Sequence, residues 1–398
     1  MTALPLAYLC GTIYLLVKLW ISLRRPLSLP GTSENSPILL WIRIAIVALM
    51  LLAACSLFIS IAIRNSQAPF WIMKFLHVAG SVWMLYMSYL ILILIPTDIA
   101  RLTIPCLKGA TWFTSTKIFW SASALVAIVL IGGYINYINP RIVEMDIDLT
   151  SPHGSSETNR SATELSSEIK IVAISDVHLG YGTGKWLTRR YIKQINAQKP
   201  DIVLIAGDLI DNSTKPVANQ LLHLELNKIE APMGIYMAPG NHEYISGISE
   251  CRELLAQTKV QLLQDSIITI SLANQAKMLQ IIGRDDRSNR NRKTLEELLE
   301  LTCAKNKTNI ANHIIVVDHQ PYNLAKTDSL GIDIQISGHT HRGQIWPFNL
   351  LTDKIYEQSH GYRKWSNSHI WVSSGLSLWG PPFRIGTRSE IGVITIQL

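Results

Sequence analysis

Residues 169–180 read IKIVAISDVHLG. The first seven form a short, nearly continuous apolar run rich in β-branched residues, as expected of a strand buried on both faces. Asp176 and His178 follow at once. The same unit, an apolar run ending in polar residues, recurs along the chain. DIVLIAG (201–207) leads into GDLIDN (207–212), which supplies Asp208 and Asp211. GIYMAPG (234–240) leads into GNHEY (240–244), with Asn241, His242 and Glu243. VVDHQP (316–321) ends a later strand and gives His319. SGHTHRGQ (337–344) follows the alternating GIDIQI and gives His339 and His341.

Helical patterns lie between these runs. WLTRRYIKQINAQ (186–198) carries helical spacing at Leu187, Tyr191, Ile192 and Ile195, and VANQLLHLELNKI (217–229) reads as another helix. PRIVEMDIDL (140–149) and the closing SEIGVITIQL (389–398) read as strands. TSPHGSSETNRSATELSSE (150–168) is polar and rich in Ser and Thr, the composition of a loose loop. Alternating strands and helices imply an α/β core, whose ligands bind beyond the carboxyl ends of the strands.

Each polar cluster taken alone has a plain reading as a helix cap, a turn or a surface histidine. Five clusters, each at the C-terminal end of an apolar strand, point to a metal site. Oxygen and imidazole ligands without thiolate suit Mn, Fe or Zn. Two cations about 3.5–4 Å apart need a shared anion between them, and Asp208, in the middle of the array, suits that role. Glycines before Asp208, Asn241 and His339 let the backbone pass close to such a site. A water shared by two cations loses a proton near neutral pH and can attack phosphorus.

D-x-H, G-D-x-x-D, G-N-H-[DE], a lone H and G-H-x-H, in this order over residues 169–398, resemble the calcineurin-like metallophosphoesterases. The resemblance implies a domain of two mixed β-sheets flanked by helices. It implies two divalent metal ions, the first held by Asp176, His178, Asp208 and His341, the second by Asp208, Asn241, His319 and His339. It also implies that His242 faces the phosphate as general acid or transition-state stabiliser. GHTHRGQIWPF (338–348) and SSGLSLWGPPFRIGTRSEIGVITI (373–396) are similar to the membrane-associated bacterial branch that includes UDP-2,3-diacylglucosamine pyrophosphatase-type enzymes. That branch usually has Gly where this chain has Arg342, and Pro where it has Ser389. Arg342 and Arg384 are candidates to bind substrate, because guanidinium forks match phosphate oxygens. Asp211 is expected to orient a ligand and not to bind metal.

The first third of the chain reads differently. Arg43 to Arg64 brackets 20 uncharged residues, and Lys74 to Asp98 and Lys117 to Arg141 bracket 23 each. Residues 3–23 are equally apolar apart from Lys18. Uncharged runs near 20 residues span a bilayer as helices, so four transmembrane helices are expected. The first lacks the basic start and small-residue cleavage site of a signal peptide. The expected organisation is a four-helix transmembrane domain at 1–139, a strand and polar linker at 140–168, and a catalytic domain at 169–398.

The formal charge of +7 sits entirely in residues 1–140, which hold nine Lys or Arg against two acids; the remainder holds 27 of each sign. The excess marks membrane flanks, and no nucleic-acid partner is expected. Six basic residues flank loops one and three (Arg24, Arg25, Arg43, Arg101, Lys108, Lys117) against three on the other side (Arg64, Lys74, Arg141). That bias places those loops in the cytoplasm and the catalytic domain outside a bacterial inner membrane. The five cysteines occur singly and form no C-x-x-C, which argues against a thiolate zinc site; Cys251 and Cys303 could pair in an oxidising compartment. The expected activity is hydrolysis of a phosphoric ester or pyrophosphate in a lipid-linked or membrane-proximal substrate. The alternative is a non-catalytic, metal-containing membrane sensor. Transport is disfavoured, because the spans carry few chargeable groups of the kind that mark a transport path: Lys18 and Arg43 near their ends and His77 inside.

Overall fold

The computed structural model describes residues 3–23, 37–63, 68–108, 110, 113–150, 168–272, 277–305 and 311–398. Most of the polar 150–168 segment, the first membrane loop, residues 306–310 and the Cys303 side chain lie outside them. The chain divides into two compact units: Met1–Tyr134 with Gly380–Pro382, and Ile135–Trp379 with Phe383–Leu398.

Four helices of the first unit are long and apolar enough to cross a membrane: α1 (Ala3–Leu23), α2 (Pro37–Ala62), α3 (Phe70–Thr103) and α4 (Ser115–Ile138). The last turn of α4 belongs to the second unit. The helices outrun the uncharged windows that announce them, since α2 takes in Arg43 and α3 takes in Lys74, Asp98 and Arg101. A charge at a helix end can reach water, so the window of uncharged residues marks the hydrocarbon and not the whole helix. Lys18 donates to Asp98 at 2.6 Å and to Ser115 at 2.9 Å, and Tyr14 donates to the same carboxylate at 2.7 Å. The charge in α1 is thus neutralised by one in α3.

Among its described residues the second unit carries twelve strands: β1 (Arg141–Asp148), β2 (Glu168–Ile174), β3 (Ile202–Ala206), β4 (Ile235–Ala238), β5 (Val260–Leu262), β6 (Ser266–Ser271), β7 (Lys277–Gly283), β8 (Ala311–Val317), β9 (Ile334–Ser337), β10 (Gly361–Lys364), β11 (His369–Val372) and β12 (Glu390–Gln397). They form two six-stranded sheets, ordered β1-β12-β2-β3-β4-β5 and β10-β11-β9-β8-β7-β6. Within the first, β2, β3, β4 and β5 run parallel and β12 is antiparallel to β2. Within the second, β7, β8, β9 and β11 run parallel, with antiparallel edges at β6 and β10.

The strand sequences account for this layering. Side chains alternate faces along a strand, so a run apolar at every position must be covered on both sides. In β2, Val172 and Ile174 pack into the helix-covered core, whereas Ile169, Ile171 and Ala173 enter the core shared by both sheets. In β3, Val203 and Ile205 take the first face and Ile202, Leu204 and Ala206 the second. Helix α5 (Lys185–Ala197) covers the outer face with Leu187, Tyr191, Ile192 and Ile195, the four residues its spacing predicts. The second predicted helix, over 217–229, is broken. Leu221 takes a left-handed conformation (φ 55°, ψ 38°), and short turns follow. Both Leu222 and Leu226 still reach the core, and the break leaves Glu225 beside Arg189 of α5.

Candidate metal centre

All five polar clusters follow the C-terminal ends of parallel strands. Asp176 and His178 follow β2, Asp208 follows β3, and Asn241 and His242 open the short helix α6 (Asn241–Ser246) after β4. His319 follows β8, and His339 and His341 follow β9. Strand pairing carries over into the loops. The backbone N–H of Asp176 donates to Gly207 at 3.0 Å, that of His178 to Asp208 at 3.0 Å, and that of Gly338 to His319 at 2.9 Å.

The seven expected metal ligands converge in two groups. In the first, His178 Nε2 lies 3.1 Å from His341 Nε2, 4.0 Å from Asp176 Oδ1 and 3.9 Å from Asp208 Oδ2, and His341 Nε2 lies 3.3 Å from Asp176 Oδ1. In the second, His319 Nε2 lies 3.1 Å from Asp208 Oδ2 and 3.2 Å from Asn241 Oδ1, and His339 Nδ1 is 2.9 Å from the same Asn241 oxygen. Asp208 Oδ2 belongs to both. Asp176 also ties the groups together, accepting the backbone N–H of His339 at 3.1 Å.

The donor chemistry fits divalent cations. His319 Nδ1 lies 2.7 Å from the Ala206 carbonyl, and donation there leaves the Nε2 lone pair facing Asp208 and Asn241. With a cation bound that lone pair would face it; without one, Nε2 meets its two oxygen acceptors only by carrying a proton, and the His178 and His341 nitrogens meet each other only across a proton or a cation. The sites are nearly dry, with Asp176 and His319 at 0 % exposure and Asp208 at 2 %. Burial, and after it the neighbouring His178, push His341 well down, while burial of His319 is outweighed by Asp208 and its pKa rises well above the usual imidazole value. Burial also raises the Asp208 carboxyl, but the surrounding His319, His178 and His242 win and lower it.

Backbone strain concentrates at this rim. Asp176, His178, Asp208, His339, His341 and Arg342 all take positive φ, between 45° and 70°. A left-handed residue with a Cβ costs roughly 1–2 kcal/mol. Two glycines allow the close approach that their motifs suggest: a Cβ at Gly240 would collide with the Asp208 carboxylate, and one at Gly338 with that of Asp176.

His242 stands beside both groups. Its ring packs edge-on to His178 at 4.6 Å between centroids, and its backbone N–H donates to Asp208 Oδ1 at 2.9 Å. Its Nδ1 is 3.4 Å from Asp211 Oδ1, and His178 Nδ1 is 3.5 Å from the same oxygen. Asp211 therefore braces both rings from behind, as expected of an orienting carboxylate. Burial pushes the His242 imidazole down, but the Asp211 hydrogen bond and the charges of Asp208 and Asp211 outweigh it and raise it to about 9.

Arg384 occupies a different place from that expected of a substrate-binding arginine. It has 0 % exposure, and its guanidinium donates to the carbonyls of His341 (3.0 Å), Gly375 (3.1 Å) and Ser377. Its three backbone acceptors fix the loop that carries His341. Arg342 is half-buried and lines a cavity next to that loop.

Two acids of the motifs carry roles that the motif reading leaves out. Glu243, at 0 % exposure, accepts the backbone N–H groups of Asp208 (2.9 Å), Ile210 (3.0 Å) and Gly240 (2.7 Å). It fastens the loop after β3 to the loop after β4. Burial and the Asp208 charge raise its carboxyl to about 7. Asp318 accepts from Arg284 and Arg292, both at 2.8 Å, and anchors the segment before His319. The signal for Glu243 was its place at the third position of α6, where an acidic side chain can reach back to the helix start.

Residues 169–343 match the family model described as calcineurin-like phosphoesterase. The chain is similar to an uncharacterised metallophosphoesterase of Campylobacter jejuni, with 28% identity over 85% of this chain and 88% of that one. It is 30% identical to an uncharacterised metallophosphoesterase of Bacillus subtilis over 67% of this chain and 89% of that one. It is 26% identical to a Danio rerio transmembrane protein with a metallophosphoesterase domain, over 69% of this chain and 62% of that one.

Proposed function

The chain belongs to the calcineurin-like metallophosphoesterases, and on that premise we propose that it is a membrane-anchored phosphohydrolase acting on a lipid-linked or membrane-proximal phosphoric ester or pyrophosphate. The observation that carries the reading is Asp208 Oδ2, which both donor groups share at 3.1 Å and 3.9 Å. Asp176, His178, Asp208 and His341 would hold one divalent ion, and Asp208, Asn241, His319 and His339 the other. Two such cations would activate a water at neutral pH and neutralise charge on the phosphoryl oxygens.

The remaining chemistry belongs to the chain. Asp211 orients His242, and His242 holds the proton that the leaving oxygen takes. Arg384 and Glu243 hold the ligand-bearing loops in register, and Arg342 would meet the substrate. The helices keep residues 169–398 near lipid, with 1–139 as the membrane domain and 140–168 as the linker. Loop charge supports a catalytic domain outside the inner membrane. The likeness of residues 338–348 to UDP-2,3-diacylglucosamine pyrophosphatase-type enzymes supports hydrolysis at phosphorus as the reaction type.

Purified full-length protein, loaded in turn with Mn²⁺, Fe²⁺ and Zn²⁺, is to be assayed on bis-p-nitrophenyl phosphate. Turnover that disappears in Asp208→Asn supports the hydrolase. Bound metal without turnover under every loading favours the sensor. Lipid extracts of cells with and without active enzyme then identify the substrate class from what accumulates.

A further inference from the structure

A cavity of about 300 Å³ lies within the second unit, beside the loop that carries His341. Arg141, Arg342 and Arg388 line it, together with Asn136, His360 and Ser374. Its charge is lopsided. Arg141 is paired with Glu390 at 3.2 Å, and Glu390 also accepts the backbone N–H of Ser374 at 2.7 Å. Neither Arg342 nor Arg388 forms an ion pair among the described residues, and Arg342 Nε is enclosed without a hydrogen-bond partner. Burial, with Arg342 nearby, pushes the His360 imidazole down. Two uncompensated guanidinium groups therefore face one small concavity.

Arg342 is there at a conformational cost. Its backbone is left-handed (φ 48°, ψ 38°), a conformation free of penalty only for glycine. A strained arginine at the mouth of a cationic cavity points to a ligand that the guanidinium recognises. The cavity also sits where the chain leaves its last apolar span. Asn136 is in the final turn of α4, which ends at Ile138, and Arg141 opens β1. Residues at such a boundary lie at the depth of phospholipid headgroups.

We propose that the cavity bounded by Arg141, Arg342 and Arg388 is an anion subsite, distinct from the metal centre, that takes a phosphate group. Guanidinium forks bind tetrahedral oxyanions through paired charge-assisted hydrogen bonds. The cavity shares two loops with the metal cluster. Arg342 follows His341, and Ser374 precedes Gly375, where a Cβ would stand 3.0 Å from Asp176 Cβ and 3.1 Å from His341 Nδ1. A phosphate held here would fix a ligand next to the reacting centre. The inference deepens the hydrolase reading, but the binding it asserts can be measured without turnover.

The test uses the full chain in phosphatidylcholine nanodiscs. Thermal midpoints are followed against inorganic phosphate, and separately in nanodiscs containing phosphatidic acid. Asp208→Asn removes binding at the metals. In that background a midpoint shift should persist, and adding Arg342→Gly and Arg388→Gln should raise the phosphate concentration for half the shift at least tenfold. Arg342→Lys with native Arg388 should retain most of the binding. Should Asp208→Asn not fold, Arg388→Glu in the otherwise native chain serves instead, since the residue is exposed, and the same tenfold weakening is expected. A shift with phosphatidic acid alone names a lipid headgroup, and one with phosphate alone names a soluble anion. No shift with either probe overturns the subsite, as does a shift that Asp208→Asn abolishes and the arginine variants keep. Turnover of bis-p-nitrophenyl phosphate by the native chain decides the hydrolase reading independently.

Discussion

His178 and His341 are 163 positions apart in the chain, yet their Nε2 atoms face each other at 3.1 Å inside a nearly dry pocket. Two imidazole nitrogens at that distance repel unless a cation or a shared proton lies between them. Removing metal with a chelator should therefore destabilise the protein. A saturating metal ligand contributes about 3 kcal/mol when present at a hundred times its Kd. The expected result is a lower thermal midpoint after chelation, restored by Mn²⁺. In Asp208→Asn the chelator should make little difference, and a native-sized effect there would contradict the shared-ligand role.

Asp211→Asn leaves the seven expected ligands in place but weakens the brace behind His178 and His242. Loss of such an orienting partner costs about 10- to 100-fold in activity or metal affinity. Metal content by elemental analysis should stay substantial while kcat falls. An unchanged kcat would remove Asp211 from the machinery.

Glu243→Ala takes a buried acceptor from three backbone N–H groups. With the carboxyl near half ionised at neutral pH, each bond contributes between about 0.5 and 3 kcal/mol and they are not additive, so a loss of about 3 kcal/mol is expected. Chemical unfolding measures it. Glu243→Gln, which keeps one carbonyl acceptor, should fall between the two.

Glu225 gives the protein an acid-sensitive element far from the metals. The Arg189 hydrogen bond, opposed by burial and aided by Lys228, lowers its carboxyl from 4.5 to about 2. A depressed carboxyl adds stability that is complete above its unfolded value and is lost as pH falls through its folded value. The window runs from about pH 4.5 down to about 2. Arg189 and Lys228 are solvent-facing, so the contribution is small, about 1 kcal/mol or 2–4 °C in Tm. Glu225→Gln should lower Tm at neutral pH by that amount and remove this part of the acid sensitivity.

Lys18→Met strands Asp98 among apolar helices. Breaking a buried pair by removing one partner costs about 3–5 kcal/mol, reduced here to about 2 because both side chains keep some exposure. Thermal unfolding in detergent should show the loss, and Lys18→Met with Asp98→Asn should recover most of it. No recovery would mean that the lysine acts through something other than this carboxylate.

The membrane helices were legible because an uncharged run has few other uses, and the strands of the first sheet because their apolar residues leave no solvent face. Helix α5 buries the residues its spacing names. The 217–229 pattern failed as a single helix because spacing records which side chains seek the core and is silent about a left-handed turn at Leu221. Arg384 was misplaced for a related reason: charge and residue type suggest a phosphate, but its partners are carbonyls brought near by β11, β12 and the turn after β9.

The sequence by itself determined the kinds of groups present and the strand ends that carry them, since apolar periodicity and residue chemistry are local properties. Only the tertiary structure decided that β2, β3, β4, β8 and β9 release their loops toward one rim, that Asp208 Oδ2 is common to two donor groups, and that Glu243 and Arg384 hold loops while Arg342 faces a cavity. Those outcomes depend on which strands pair and on the strained backbone at the rim, and both are fixed by contacts between residues far apart along the chain.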